Sequence, residues 1–71
     1  MAIEMQSVGG SNISAIGYDP STQTLQVEFI SGGRYQYHGV PSEVFDDFES
    51  SPSKGAFLHD EIKDIYSYSR M

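Results

Sequence analysis

The stretch from Thr24 to Val40, "TLQVEFISGGRYQYHGV", limits what this chain can fold into more than any other. Leu25, Val27 and Phe29 alternate with Gln26 and Glu28, which is the period of two that a half-buried strand requires. Beyond a glycine pair, Tyr35 and Tyr37 alternate with Arg34, Gln36 and His38. Two such runs, close in sequence, read as an antiparallel hairpin. Directly opposed residues of an antiparallel pair point to the same side of the sheet, so the loop length is constrained. A two-residue Gly32-Gly33 loop would oppose Phe29 to Gln36 and mix the apolar and polar faces. A three-residue loop, Ser31-Gly32-Gly33, opposes Phe29 to Tyr35 and Val27 to Tyr37. Loops of three want one residue in the left-handed region, which glycine supplies at no steric cost.

Upstream, "NISAIGYD" (12–19) reads as a further strand. Ile16 and Tyr18 alternate, whereas Ile13 is out of phase, which predicts a bulge near Ala15. Asp19 and Pro20 suit the first two positions of a type I turn. Closing that turn places Tyr18 near Leu25 and Ile16 near Val27. Gly9-Gly10-Ser11 reads as a flexible or turning segment, and Met5 to Val8 as a short edge strand. The apolar face of this meander needs a cover. "VPSEVFDDFES" predicts one helix, with Pro41 in its first turn and Glu43 where the helix dipole favours an acid. Val44, Phe45 and Phe48 share one side at helical spacing, while Asp46, Asp47 and Glu49 point outward. Ser50-Ser51-Pro52 stops it. A second helix begins within "SPSKGAF" and ends near Tyr66, with Leu58, Ile62 and Ile65 inward and Phe57 and Tyr66 flanking; "SYSRM" is then a tail. The expected fold class is α+β: an antiparallel meander of three strands, four if Met5 to Val8 pairs, with two helices packed on one face. Residues 1–71 form a single domain with its core over about 7–68 and loose termini.

Composition narrows the function classes. A chain of 71 residues buries only ~60% of its unfolded surface, so it needs an efficient core or a partner. With no cysteine it has neither a disulfide framework nor a thiolate metal site, which fits a reducing, cytoplasmic setting. The N-terminal residues lack the basic and apolar regions of a secretion signal, and no run approaches a membrane span. Ten acidic and four basic residues give a formal charge of −6, which repels nucleic acid and anionic membrane. A nucleic-acid role therefore requires Arg34, Lys54, Lys63 and Arg70 to cluster locally. Five tyrosines and four phenylalanines argue against disorder.

No catalytic or metal-binding pattern stands out. His38 and His59 lie in different predicted elements without zinc-ligand spacing. Asp60, Glu61 and Asp64 read as a solvated helix face, and no serine has a base patterned beside it. No cofactor motif is present: "SPSKG" lacks the Walker spacing. That segment has two compatible readings. Ser51 or Ser53 caps a helix, or Ser53, Lys54 and Gly55 present an anion site at its start. The tyrosine pair also has two readings. Aromatic rings on a sheet stack bases, but the hairpin register puts Tyr35 and Tyr37 on the helix-covered side, as core residues with wet hydroxyl tips. Arg34, Gln36 and His38 are then displayed on the open side.

Several short motifs stand in order along the chain: Ser11-Asn12-Ile13, Ile16-Gly17-Tyr18-Asp19, Tyr35-Gln36-Tyr37, Val40-Pro41 and Ser53-Lys54-Gly55. Over about residues 7–68 the chain resembles the KTSC domain, which is named for the C-terminus of some lysyl-tRNA synthetases and also occurs as a stand-alone bacterial protein. The resemblance implies a small non-catalytic module of uncharacterised function, for which RNA binding has been suggested. The candidate nucleic-acid or anion-binding residues are Asn12, Arg34, Tyr35, Tyr37, Ser53, Lys54, Gly55 and Arg70. The alternative is a protein-interaction or dimerisation module; neither a membrane partner nor a cofactor is expected.

Overall fold

The computed structural model describes residues 3–8 and 12–70. Five antiparallel strands form one sheet in sequence order: β1 (Met5–Ser7), β2 (Ile13–Asp19), β3 (Thr24–Phe29), β4 (Arg34–Tyr37) and β5 (Tyr68–Arg70). Between β4 and β5 the chain makes two helices, α1 (Ser42–Ser50) and α2 (Lys54–Phe57), the latter running directly into a π turn (Leu58–Ile62). The class is α+β as expected, but the sheet has five strands where three or four were expected. Met5–Ser7 pairs with β2, and the predicted tail returns along the far edge of β4. The Gly9-Gly10-Ser11 turn lies outside the described residues.

The β2–β3 pairing matches the sequence reading, with Tyr18 opposite Leu25 and Ile16 opposite Val27. The register shifts between Ile13 and Ala15, so Ser14 is the extra residue of the bulge. That bulge brings Ile13 back into the core. The connecting loop of residues 20–23 is closed by Asp19, whose Oδ1 accepts from the Ser21 amide (3.0 Å) and hydroxyl (2.6 Å). These bonds hold its carboxyl below the usual aspartate range.

The β3–β4 hairpin differs from expectation by a slip of two. Val27 opposes Tyr35 and Leu25 opposes Tyr37. The three-residue loop is 30–32, closed by Phe29 N–H to the Gly33 carbonyl (2.8 Å), with Gly32 at φ +101°. A slip of two keeps every side chain on its predicted face. The polar face explains the choice. In the observed register Arg34 Nε meets Glu28 Oε2 at 2.7 Å, and the Gln36 amide donates to Gln26 at 3.2 Å. The expected register would have opposed Glu28 to Gln36 and separated the ion pair.

The core lies between the sheet and the helices: Ile13, Ile16, Leu25, Val27 and Tyr37 from or beside the strands, with Val40, Phe48, Leu58 and Ile62 from the cover. Phe45 stacks on Tyr18 with ring centroids 4.8 Å apart and planes 9° apart. Pro41 occupies the cap position of α1 rather than its first turn. The second helix departs from the regular one expected to near Tyr66. Its π turn is closed by Lys63 N–H to the Leu58 carbonyl (2.7 Å), and it gives way to a turn at 63–65. Ile65, predicted inward, is consequently 60% exposed.

On the open face, Gln26 is buried rather than displayed. It sits opposite Gly17, over which the N-terminal segment crosses. A Cβ at Gly17 would lie 2.5 Å from the Glu4 carbonyl oxygen and 2.8 Å from Met5 Sδ. This glycine is required by close approach, not by its backbone angles. Gly17→Ala should therefore destabilise the fold by about 1–3 kcal/mol and strip amide-exchange protection from β1. Urea denaturation and exchange measurements check both; an unchanged midpoint with β1 still protected would contradict the account.

Candidate functional site

A groove of about 560 Å³ opens where β4 and β5 meet the π turn. Its sheet side is aromatic. Tyr35 and Tyr37 come from β4, and Tyr68 and Arg70 from β5. Arg70 stands opposite Tyr35, and Tyr68 opposite Tyr37, so antiparallel pairing places all four on the helix-covered side. The rings touch: Tyr68 lies 5.7 Å from Tyr35 and 5.6 Å from Tyr37 between centroids, and Phe29 meets Tyr35 edge-on at 5.5 Å. Exposure falls steeply across them. Tyr37 is buried at 4%, Tyr35 is half-buried and Tyr68 is 54% exposed.

The facing wall comes from the second helix. Leu58 and Ile62 are buried anchors. The residues that follow each of them, His59 and Lys63, line the groove. The i→i+5 closure of the π turn adds a residue to the turn, which brings positions four apart towards one line. At one end, Asn12 lies over Gly55: a Cβ on that glycine would sit 3.5 Å from Asn12 Nδ2. Two of the short sequence motifs therefore meet at this end.

The charge distribution departs sharply from the composition. Of four basic side chains, Lys63 and Arg70 line the groove, and among the described residues no Asp or Glu side chain does. His59 Nδ1 lies 3.2 Å from Asp60 Oδ1, with both side chains exposed.

The candidate residues from sequence divide in two. Asn12, Tyr35, Tyr37, Gly55 and Arg70 converge on the groove. Arg34 stands on the opposite face in its ion pair with Glu28. Ser53 caps α2, its hydroxyl accepting from the Ala56 amide at 3.4 Å. Lys54 donates to the Ser51 carbonyl at 2.8 Å. Capping thus accounts for Ser53, and Lys54 is turned back onto the preceding loop. Of the other open-face candidates, His38 Nε2 lies 3.1 Å from Ser69 Oγ. The site list from sequence lacked Phe29, His59, Lys63 and Tyr68. A signal for Tyr68 was present: Tyr66, Tyr68 and Arg70 alternate with serines, which is strand periodicity at the end of the chain.

The profile of the KTSC domain matches residues 10–66. The chain belongs to the KTSC family. It is 46% identical over 59 residues to a small protein of Tsukamurella paurometabola, covering 83% of this chain and 88% of that one. It is 44% identical over 62 residues to a lysine--tRNA ligase of Nostoc sp., covering 87% of this chain. The KTSC chain spans only 11% of that ligase's length. Among solved structures, a KTSC domain protein from Yersinia pestis superposes with a TM-score of 0.94 at 38% identity, covering 99% of each chain. Among the described residues, no helix is long and apolar enough to cross a membrane.

Burial raises the Tyr37 phenol above its ordinary pKa, with smaller contributions from Tyr35 and Tyr68. The folded state thus holds this proton more tightly than the unfolded chain does. The resulting stability is intact below the ordinary tyrosine range near ~10 and is lost as pH rises from there through the raised value. Alkaline unfolding followed by circular dichroism should show this loss, and Tyr37→Phe should make the alkaline limb shallower. A limb unchanged in the variant would exclude Tyr37 as a source.

Proposed function

We propose that this KTSC domain is a non-catalytic RNA-binding module and that the groove between the tyrosines of β4–β5 and the π turn is its binding surface. The observation that carries the reading is the segregation of charge. A chain of net charge −6 places two of its four basic side chains in one groove, beside the Tyr35 and Tyr68 rings, with no acidic side chain among the described lining residues. Cations neutralise phosphates and aromatic faces stack bases, which is the pairing that single-stranded nucleic acid needs. The context of a relative supports the same direction, since the domain's sequence recurs within a protein named as a lysine--tRNA ligase.

A homodimer or other protein contact is the competing reading. Ile30 and Ile65 are exposed, at 59% and 60%. Single exposed apolar side chains are ordinary on a protein surface, however. A mass that rises with concentration in light scattering would favour that alternative.

The test is an NMR titration with short single-stranded RNA at low and physiological salt. Shifts should gather at Tyr35, Tyr68, Lys63 and Arg70. With two phosphate-directed cations, the slope of log affinity against log salt should be no steeper than about −1.4. Lys63→Glu and Arg70→Glu should each weaken binding by about ten-fold or more, whereas Arg34→Glu should not. Absence of any groove shift at low salt removes the reading.

A further inference from the structure

We infer, resting on the RNA reading above, that the groove seats one unpaired nucleotide: its base against Tyr35 and Tyr68, its phosphate at Lys63 and Arg70. Size is the first reason. About 560 Å³ lies within the ~300–1,000 Å³ of pockets that take small ligands. The described residues span only 28 × 21 × 20 Å, and an RNA duplex keeps its bases paired and stacked behind a deep, narrow major groove that side chains cannot enter. A duplex has no way to bring one of its stacked bases into this space.

Ring geometry is the second reason. Successive stacked bases need ring faces that are close to parallel. Tyr68 is tilted 55° to Tyr35 and 41° to Tyr37, and Tyr37 is already sealed into the core. The accessible faces of Tyr35 and Tyr68 therefore diverge, and offer a stacking surface to one planar group rather than a platform for a row of them. The third reason is polarity. The cations rise from opposite sides, Lys63 after the π turn and Arg70 from β5, while Asn12 supplies an amide donor and acceptor at the Gly55 end. That combination suits a planar base joined to a phosphate. A free nucleotide and a nucleotide within a strand share this chemistry.

The full chain is titrated by NMR with a nucleoside 5′-monophosphate, the unphosphorylated nucleoside, inorganic phosphate, single strands of increasing length and a blunt duplex. The monophosphate should shift Tyr35, Tyr68, Lys63 and Arg70 together, and inorganic phosphate only the last two. Affinity should rise from monomer to short strand and then level off beyond about two nucleotides, in keeping with one stacked base. The duplex should leave the groove unshifted. If the monophosphate binds as tightly as any strand, the slot stands and the RNA reading falls. If affinity climbs steadily with length while shifts spread past the groove, the slot falls and the RNA reading stands. If nothing shifts the groove, both fall. Tyr68→Phe should bind like the wild type, and Tyr68→Leu, which keeps an apolar side chain on β5, should lose about ten-fold. A Tyr68→Leu protein that binds nucleotide as tightly as the wild type would overturn the stacked base.

Discussion

The backbone of Val40 is the point on which the architecture turns. Its N–H donates to the Gln23 carbonyl at 2.9 Å, and its carbonyl accepts from the Tyr18 hydroxyl. Its side chain is fully buried. Buried backbone groups must be paired, and here both partners come from the β2–β3 hairpin. The residue that ends the sheet run and begins the helical cover is thus tied to the β2–β3 hairpin by both of its polar groups. Gly39 at φ +73° and Pro41 in extended geometry flank it, so the chain leaves the sheet in a defined direction. α1 then lies over the core with Phe45 on Tyr18 and Phe48 sealed beneath.

The groove inherits that geometry. Once α1 is fixed, the second helix must cross back over the sheet, where Phe57 packs on Phe48 with ring centroids 5.7 Å apart. Leu58 and Ile62 enter the core, and the π turn between them carries His59 and Lys63 along the rim. The chain then returns to the free edge of β4, guided by His38 N–H to the Ser67 carbonyl at 2.9 Å. β5 has one neighbouring strand and three exposed residues. It is held by backbone pairing and by Tyr68 against its two neighbouring rings. The Tyr68 and Arg70 side of the groove therefore rests on an element with little buried surface, the kind that opens at lower free energy than the core.

The central hairpin, the β2 bulge, the faces of Tyr18, Tyr35 and Tyr37 and the starts of both helices were legible in sequence because they follow from periodicities of two and 3.6 and from turn residues. The register of the hairpin was not. The expected loop, 31–33, and the observed one, 30–32, both hold three residues and both satisfy the apolar face, and the choice falls to Glu28–Arg34 and Gln26–Gln36 on the other side. The π turn was also hidden, since Leu58 and Ile62 fit a regular helix and only the outward turn of Ile65 distinguishes the two. Of the site, Tyr35, Tyr37, Asn12 and Gly55 were reached from motifs and Arg70 from the short list of basic residues, and their meeting place was not. Lys63 and Tyr68 become neighbours of those residues only through the non-local β4–β5 pairing and the path of the second helix.

The electrostatics of the groove also bear on how it meets a polyanion. Screening reduces the interaction between exposed charges beyond ~8 Å at physiological ionic strength. A phosphate within reach of Lys63 and Arg70 would therefore be governed by those two cations and by the nearby Asp60 more than by the carboxylates of more distant elements. Phosphates further along a strand would meet a chain of net charge −6. Adding salt weakens the local attraction and the general repulsion together, so the net salt dependence is shallower than two phosphate contacts alone would give. An acidic fold with a short cationic groove thus favours a brief, local contact, and discourages the extended electrostatic tracking that a basic nucleic-acid-binding surface provides.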